Sequence, residues 1–273
     1  MPVPWSAKAT AYDERQAFPY DKVVDFVDAL QNDRDKALYS LLAACGCRTH
    51  EGLQVLLEDV DVQEGTVRLV DPATRSGHVS YRSLLPVERD QLAWKGRTTD
   101  FTLLIEPFGT LFFESMQRYL DKGYIAHGKQ QFLFQFNRRP DRGRPYFLSN
   151  NGTRLEIFHR ACRRVGVALP LGMGPHSFRH MYGTYLLNYF PRASGDYGLP
   201  VPYVQHAMGH ADAQQTLRYA KFDNDLHKLE VQHAHAVIYR RGVPMTLPEL
   251  KIAALEAELV KLKALTIGGA LND

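Results

Sequence analysis

The stretch that decides the fold of this chain reads H-S-F-R-H-M-Y-G-T-Y-L-L over residues 176–187 and V-P-Y-V-Q-H-A-M-G-H-A-D-A-Q-Q-T-L-R-Y-A over residues 201–220. Its first part places apolar residues at helical spacing. Within that part His176 and Arg179 lie three residues apart, so on a helix their side chains leave from the same face. The spacing predicts a helix that presents a histidine and an arginine to one site.

The second part adds two more candidates for that site. His210 follows Gly209, a residue type that often ends a helix or makes a tight turn. Tyr219 comes nine residues after His210, about two and a half turns if that segment is helical. Arginine and histidine donors that meet near a phenol predict a site that binds an anion and attacks it.

The order H-x-x-R, then G-H, then a tyrosine nine residues on resembles the catalytic domain of the tyrosine recombinase (phage integrase) family. The arginine box of that family, R-x-x-E before an apolar helix, corresponds to G-C-R-T-H-E-G-L over residues 46–53, which contains Arg48 and Glu51. Arg48 precedes His176 by 128 residues, a separation of the family's order. The resemblance extends over roughly residues 20–240.

The resemblance implies a mainly α-helical fold with a small antiparallel β-sheet, an α+β class, and a reaction that cuts and rejoins DNA. Tyr219 would be the nucleophile and would form a covalent 3′-phosphotyrosine link. Arg48 and Arg179 would bind the phosphate, because planar guanidinium groups fit phosphate oxygens. His176 would move the tyrosine proton, and His210 would donate to a phosphate oxygen. The link conserves the phosphodiester energy, so no metal and no other cofactor is expected.

One departure from the family pattern concerns the proton donor to the leaving group. The family has a lysine in a β-turn after the arginine box, and it is held to protonate the departing 5′ oxygen. Here T-R-S-G over residues 74–77 offers Arg75 instead. An arginine keeps its proton below a pKa of about 12, so Arg75 is expected to stabilise charge, while Lys95, a histidine or water donates the proton. A second departure is an apparent insertion over residues 190–199.

Two supporting residues and one rival interpretation remain. An arginine among apolar segments needs a buried partner, and Glu51 is a candidate partner for Arg48. His176 and His180 are spaced i, i+4, as in many zinc sites. Because the glutamate of H-E-x-x-H does not follow His176 and no cysteine is near, a metal site is not expected. His180 is instead expected to support the site from behind.

Net charge alone does not point to nucleic acid, since 33 Lys and Arg oppose 30 Asp and Glu for a formal charge of +3. Clusters of basic residues are more informative, because patches attract phosphates. Loose basic loops on a solvated face are the competing interpretation. Double-stranded DNA carrying a specific recombination site is the expected partner, bound by Arg138, Arg139, Arg142, Arg144, Arg160, Arg163 and Arg164.

Cysteine usage and apolar runs bear on location. The three cysteines lack C-x-x-C spacing, and Cys45 and Cys162 lie in apolar helical segments, which favours reduced core thiols. Residues 1–18 lack the apolar centre of a signal peptide, and no apolar run approaches the roughly 20 residues of a membrane helix. A cytoplasmic protein is expected, associated with the nucleoid when it binds DNA.

Three segments are predicted along the chain. Residues 1–19 read as a linker or N-terminal arm, residues 20–243 as the catalytic domain, and residues 244–273 as a helical tail. In the tail Ile252, Leu255, Leu259 and Leu262 step by three and four, an a/d pattern that could dock on a neighbouring subunit or on its own domain. The neighbouring subunit is favoured because the stripe follows a Gly/Pro break at residues 242–244, and the resemblance implies a tetramer on two duplexes.

Secondary structure within the domain is predicted from periodicity and caps. Strands are predicted over residues 65–70 and 79–85 around a turn at 71–77, and a further one over 101–105. Helices are predicted after Asp21, after Asp33 as far as Gly46, around Leu53, Leu56 and Leu57, and over residues 109–122, 153–165, 175–189, 202–208, 213–220 and 224–239.

Site-specific recombination that integrates or excises a mobile element is the leading hypothesis. A type IB topoisomerase or a hairpin telomere resolvase would use the same chemistry. A DNA-binding accessory protein with an impaired site is the alternative outside enzymes. The separate helical DNA-binding domain that usually precedes the catalytic domain in the family does not fit within residues 1–19.

Overall fold

The computed structural model describes residues 17–94, 96–126, 128–192, 195 and 197–209, together with scattered residues between 248 and 263. His210, Tyr219 and Lys95 lie outside the described residues, as do the helices predicted over 213–220 and 224–239. The helices are α1 Val23–Asp28, α2 Asp33–Cys45, α3 Thr49–Leu53, α4 Val79–Arg82, α5 Pro86–Arg89, α6 Phe108–Lys122, α7 Asn151–Arg164, α8 Ser177–Asn188 and α9 Val201–Met208, and the strands are β1 Val60–Asp61 and β2 Thr66–Val67.

Helix α2 lies at the centre, with α6, α8, α1 and α3 packed around it. It is buried on nearly every side, as expected for a helix without a polar face. Asn32, rather than the predicted Asp33, caps it, because the Asn32 side chain accepts a hydrogen bond from the Asp35 amide at 2.9 Å. It ends at Gly46 as predicted, with a φ of 58°, and a Cβ there would lie 2.4 Å from Tyr182.

Aromatic side chains tie the start of the described chain to this core. Phe18 is fully buried, stacks on Phe178 at 4.5 Å between ring centroids, and meets the edge of Phe26 at 5.2 Å. Such pairs stabilise a fold by about 0.5–1.5 kcal/mol beyond area burial. The packed core therefore begins at Phe18, inside the segment predicted to be an arm.

The small antiparallel sheet is confirmed as the hairpin β1–β2, with Val60 opposite Val67. The strand predicted over residues 79–85 is wrong, because residues 79–82 form α4 and Pro86 begins α5. The His78 ring caps α4 by accepting from the Ser80 amide at 3.2 Å. Valine and tyrosine favour strands, but helix caps and a proline at the first position of α5 outweigh that preference here. Leu85, in the same segment, is exposed.

Two other predictions shift in the same region. Residues 101–105 run beside β2, where Thr102 donates to the Val67 carbonyl at 2.6 Å, but they are not a strand. The helix predicted around Leu53, Leu56 and Leu57 ends at Leu53. Leu56 and Leu57 instead meet the segment near Phe132, and the Leu57 amide donates to the Gln131 carbonyl at 2.9 Å. The longer helices α6, α7, α8 and α9 are confirmed within about two residues.

The remaining predictions concern surfaces and thiols. Cys45, Cys47 and Cys162 are free and buried, as predicted for Cys45 and Cys162. None of the described helices is long and apolar enough to span a membrane. In the tail, Ile252, Leu255 and Leu259 are helical and more than half exposed, while Leu262 lies outside the described residues. Docking of this stripe on a neighbour stays a prediction.

Candidate active site

Arg48 stands between α2 and α3, where the chain turns after Gly46. Its Nη1 donates to Glu51 Oε1 at 2.7 Å, and its backbone amide donates to Glu51 Oε2 at 2.9 Å. Burial raises the pKa of Glu51, but these hydrogen bonds and the charge of Arg97 outweigh it and hold that pKa below its usual value. The pairing predicted for Arg48 and Glu51 is therefore present, with the carboxylate ionised and buried.

Arg179, on the first turn of α8, connects three segments. Its Nη1 donates to the Gly46 carbonyl and its Nη2 to the Met208 carbonyl, both at 2.8 Å. The residue is 4% exposed, and burial, followed by repulsion from Arg48 and Arg97, lowers its pKa to about 10. Arg179 is therefore protonated at neutral pH and is held beside the arginine box, 131 residues after Arg48 by sequence number.

His176 precedes α8 and shares an open cavity of about 570 Å³ with Arg48. The residue is exposed on the cavity side. Desolvation by the surrounding protein, and then the neighbouring His180, Arg179 and Arg48, lower its pKa to about 4. The imidazole is therefore neutral at pH 7 and able to accept a proton.

His180 lies behind His176, with ring centroids 4.9 Å apart and planes at 88°. Burial and then Arg179 lower its pKa as well. Among the residues that the structure describes, no group of three or more His, Cys, Asp or Glu side chains is arranged to hold a metal ion. His206, on α9, is packed against Phe101, with ring centroids 5.7 Å apart.

Arg97 was not among the site residues predicted from the sequence. Its side chain is fully buried, with Nη1 3.7 Å from Glu51 Oε2. It donates to the carbonyls of Thr99, Phe101, Ala207 and Met208 at 2.7–3.2 Å. Hydrophobic periodicity does not show whether an arginine in a loop is buried. The one signal in the sequence for a role of Arg97 at the site was its position two residues after Lys95.

Arg154 is a second cation that the sequence analysis did not single out. It stands on α7 and lines the same cavity as Arg48 and His176. Its Nη1 donates to the Ser149 hydroxyl at 2.5 Å and its Nη2 to Asn151 Oδ1 at 2.8 Å. Burial lowers its pKa. The cavity therefore has basic residues on two of its walls.

Arg75 is engaged elsewhere. Its two terminal nitrogens each lie 2.6 Å from a different oxygen of Asp59, and Nη1 lies 3.2 Å from Glu58. Its Nε donates to the Tyr81 hydroxyl at 3.3 Å. Although burial alone would lower the pKa of Arg75, the hydrogen bonds to Asp59 raise it further above its usual value. The contacts that the structure gives Arg75 within the described chain thus support a structural role, and its catalytic role stays a prediction.

The seven arginines expected to meet DNA are all exposed. Arg138, Arg160 and Arg164 line one cavity of about 280 Å³, and Arg139 and Arg142 line another. Arg144 pairs with Asp141 and, at 2.7 Å, with Glu88. These positions form a basic surface on α7 and the loop before it, and the contact with DNA stays a prediction.

Fold and site together define a helical domain in which arginines and a histidine from distant segments meet at one open cavity. A family model described as "Phage integrase family" matches residues 17–225, and the chain belongs to this family.

Several known proteins are similar to the chain. It is 27% identical over 218 residues to "Tyrosine recombinase XerD" of Pseudomonas putida, covering 77% of this chain and 55% of that one. It is 25% identical over 217 residues to "Tyrosine recombinase XerC" of Anoxybacillus flavithermus, covering 78% and 58%. A crystal structure of XerA recombinase matches with a TM-score of 0.48 and 21% identity, covering 80% and 65%. The chain spans just over half the length of the two curated relatives.

Proposed function

We propose that this protein is a site-specific DNA recombinase that cuts and rejoins double-stranded DNA, with Tyr219 as the nucleophile. One observation carries the proposal: Arg48 and His176 line one cavity, and the buried Arg179 lies close enough for its charge to lower the pKa of His176, all inside the segment that the family model matches. The names of the relatives, tyrosine recombinases, support the same reaction class.

The two arginines suit a phosphate because much of their hydrogen-bonding capacity is unused within the described chain. A guanidinium has five N–H donors. Arg48 uses one for Glu51, and Arg179 uses two for carbonyls. The remaining donors would bind the non-bridging oxygens of the scissile phosphate. Fixed donors of this kind lower the barrier when charge grows in the transition state, each by roughly 10²–10³ in rate.

His176 would accept the tyrosine proton. Its pKa of about 4 leaves the ring neutral before DNA binds. A bound phosphate would add negative charge between Arg48 and Arg179 and thereby raise the pKa toward the range in which a base works well. Positioned proton transfer contributes roughly 10²–10⁴ in rate. His210 would donate to a phosphate oxygen, in the role that the resemblance implies.

For the proton given to the 5′ oxygen we favour Lys95 over Arg75. Arg75 is bound by Asp59 and Glu58. Lys95 stands two residues before Arg97, whose guanidinium contacts Glu51, the residue that holds Arg48. The described residues on either side of Lys95 in sequence are close to the site, since Ala93 lines the cavity and Arg97 lies 3.7 Å from Glu51.

The wider assembly follows the same reasoning. The exposed arginines of α7 and the preceding loop would bind the DNA backbone, and the tail helix would join subunits into a tetramer. Integration or excision of a mobile element would be the biological reaction, in the cytoplasm and on the nucleoid.

The test is a covalent adduct on nicked duplexes, obtained by selecting random-sequence DNA for binding to the protein. Tyr219→Phe should bind these duplexes normally and form no adduct, because only the attacking oxygen is removed. Tyr203→Phe is the matched control, since Tyr203 is half-buried on α9 whereas Tyr182 and Tyr185 are fully buried. An adduct that persists in Tyr219→Phe and disappears in Tyr203→Phe would overturn the assignment.

A further inference from the structure

We infer that Arg97 is a positioning residue that fixes the C-terminal end of α9 and, through it, Arg179 and the turn leading to His210. This role rests on the function proposed above. Arg97 itself is buried away from the cavity wall, so it would act on DNA only through the residues that it holds.

The contacts of Arg97 converge on the end of α9. The last carbonyls of a helix have no partner within the helix, and Arg97 donates to those of Ala207 and Met208 at 2.9 and 3.2 Å. Its other two bonds, to the carbonyls of Thr99 and Phe101, close its own loop around the side chain. One guanidinium thus joins the loop after Lys95 to the end of α9.

The Met208 carbonyl is shared by two arginines. Arg179 Nη2 donates to it at 2.8 Å and Arg97 Nη1 at 3.2 Å. Two positive groups on one acceptor repel each other, and Glu51, 3.7 Å from Arg97, offsets part of that repulsion. The position of the Arg179 guanidinium therefore depends on a carbonyl whose place is set by Arg97.

Gly209 gives an independent sign of this tight fit. It ends α9 with a φ of 64°, and a Cβ added there would lie 2.3 Å from Arg97 Cγ. The chain leaves the helix against the Arg97 side chain, and only glycine fits. His210 is the next residue in sequence, so Arg97 and Gly209 together set where its backbone begins.

Arg34 provides a matched structural control. It is also buried, at 4% exposure, and it also donates to a backbone carbonyl, that of Gln135, at 3.2 Å. It pairs with Asp35 at 2.6 Å and stacks 3.5 Å over the Tyr146 ring. These contacts lie outside the arginine box, α8 and α9. If Arg97 contributed only to stability, replacing it would slow cleavage no more than replacing Arg34.

The first experiment compares Arg97→Met with Arg34→Met. Two quantities are measured on the nicked duplexes: the single-turnover cleavage rate at saturating protein, and the affinity for DNA. A displacement of about 1 Å at a reacting group can lower a rate by about 10²-fold. We expect that loss in Arg97→Met, with affinity within about threefold because surface arginines bind the backbone. Arg97→Lys should recover little, since one ammonium cannot match a planar fork. An equal rate for the two methionine variants would overturn the inference.

A second experiment leaves residue 97 unchanged. Gly209→Ala forces a Cβ into Arg97, whereas Gly65→Ala has the same left-handed strain, with a φ of 63°, and no atom within 4 Å of its Cβ. We expect about 10²-fold slower cleavage in Gly209→Ala and less than about threefold change in Gly65→Ala. This pair decides the matter even if Arg97→Met does not fold, and similar rates in both alanine variants would contradict the inference.

A third measurement separates this inference from the proposed function. Backbone amide exchange in free protein needs no DNA and reports opening of residues 201–209. Arg97→Met should speed exchange there, while Arg34→Met should speed it near Gln135. If the wild type forms no adduct, the proposed function fails, yet faster exchange at 201–209 would still support Arg97 as the residue that holds α9. Unchanged exchange would overturn that role, whatever the adduct shows.

Discussion

Two clusters of charged residues, one around Arg75 and one around Glu51 of the arginine box, differ in charge balance. Around Arg75 one guanidinium meets two carboxylates, Asp59 and Glu58. Around Glu51 there are three guanidinium groups: Arg48 and Arg97 lie within ion-pair distance of this carboxylate, and Arg179 feels its charge. The first cluster is neutralised internally, while the second retains excess positive charge. A site for phosphate needs that excess, which no single sequence position reveals.

The largest expected effect concerns the source of the proton that the departing 5′ oxygen receives. If Arg75 supplied this proton, the difference in role between the two clusters would not hold. A substrate with sulfur in place of that bridging oxygen releases a thiol with a pKa near 8.5 and needs almost no acid. Lys95→Ala should lose roughly 10²–10⁴ in cleavage rate on the ordinary substrate and recover on the sulfur substrate. Arg75→Ala should cleave both substrates alike. Recovery in Arg75→Ala, with Lys95→Ala normal throughout, would reverse the roles.

A crossed pair of variants would sharpen the comparison next. Arg48→Met should lower the cleavage rate by roughly 10²–10³ and destabilise the fold less than Arg75→Met, because Glu51 keeps the backbone amide of residue 48 and the Arg97 guanidinium as partners. Arg75→Met should cleave normally once folded but lower the free energy of unfolding by about 3 kcal/mol, because it strands the buried Asp59 carboxylate. Urea titration and single-turnover cleavage measure the two quantities. Parallel losses in both variants would mean that the two clusters do not have separate roles.

A smaller effect concerns pH. The pKa of His176 is lowered to about 4 in the folded protein, against an ordinary value of 6.5. The unfolded chain therefore binds the proton first as pH falls, so stability from the neutral ring is present above pH 6.5 and is lost between pH 6.5 and 4. Water screens an exposed ring, so we expect a loss of only about 1 kcal/mol. The free energy of unfolding, measured by urea titration at several pH values in this window, should fall more steeply with decreasing pH in the wild type than in His176→Gln. An equal pH dependence in the two proteins would contradict the lowered pKa.

The smallest effect is expected on the basic surface. Arg163→Ala should weaken DNA binding less than tenfold and reduce the dependence of log affinity on log salt by about 0.9 for each phosphate that the arginine neutralises. Arg118→Ala, a partly exposed arginine on α6, is the control and should leave the slope unchanged. An equal change in both variants would place the DNA elsewhere.

Strong local patterns explain which parts of the fold could be predicted. Helices α6, α7, α8 and α9 have clear periodicity, a proline or asparagine at the start, or glycine at the end, and their bounds were close. The prediction of a strand over residues 79–85 is wrong because helix caps lie before and after its β-branched and aromatic residues. These caps favour two short helices, α4 and α5. Short apolar runs do not distinguish these outcomes without their neighbours.

The spacing of Arg48 from Glu51 and of His176 from Arg179 was determined by the sequence alone. Motif spacing and helical geometry both depend on local chain chemistry. Which arginines keep their charge available for a phosphate was decided only by the tertiary structure. Asp59 neutralises Arg75 from 16 residues away, and Arg97 reaches the carbonyls of Ala207 and Met208 from 110 and 111 residues away. Electrostatic interactions depend on separation in space and on burial, and both are set by how α2, α8 and α9 pack.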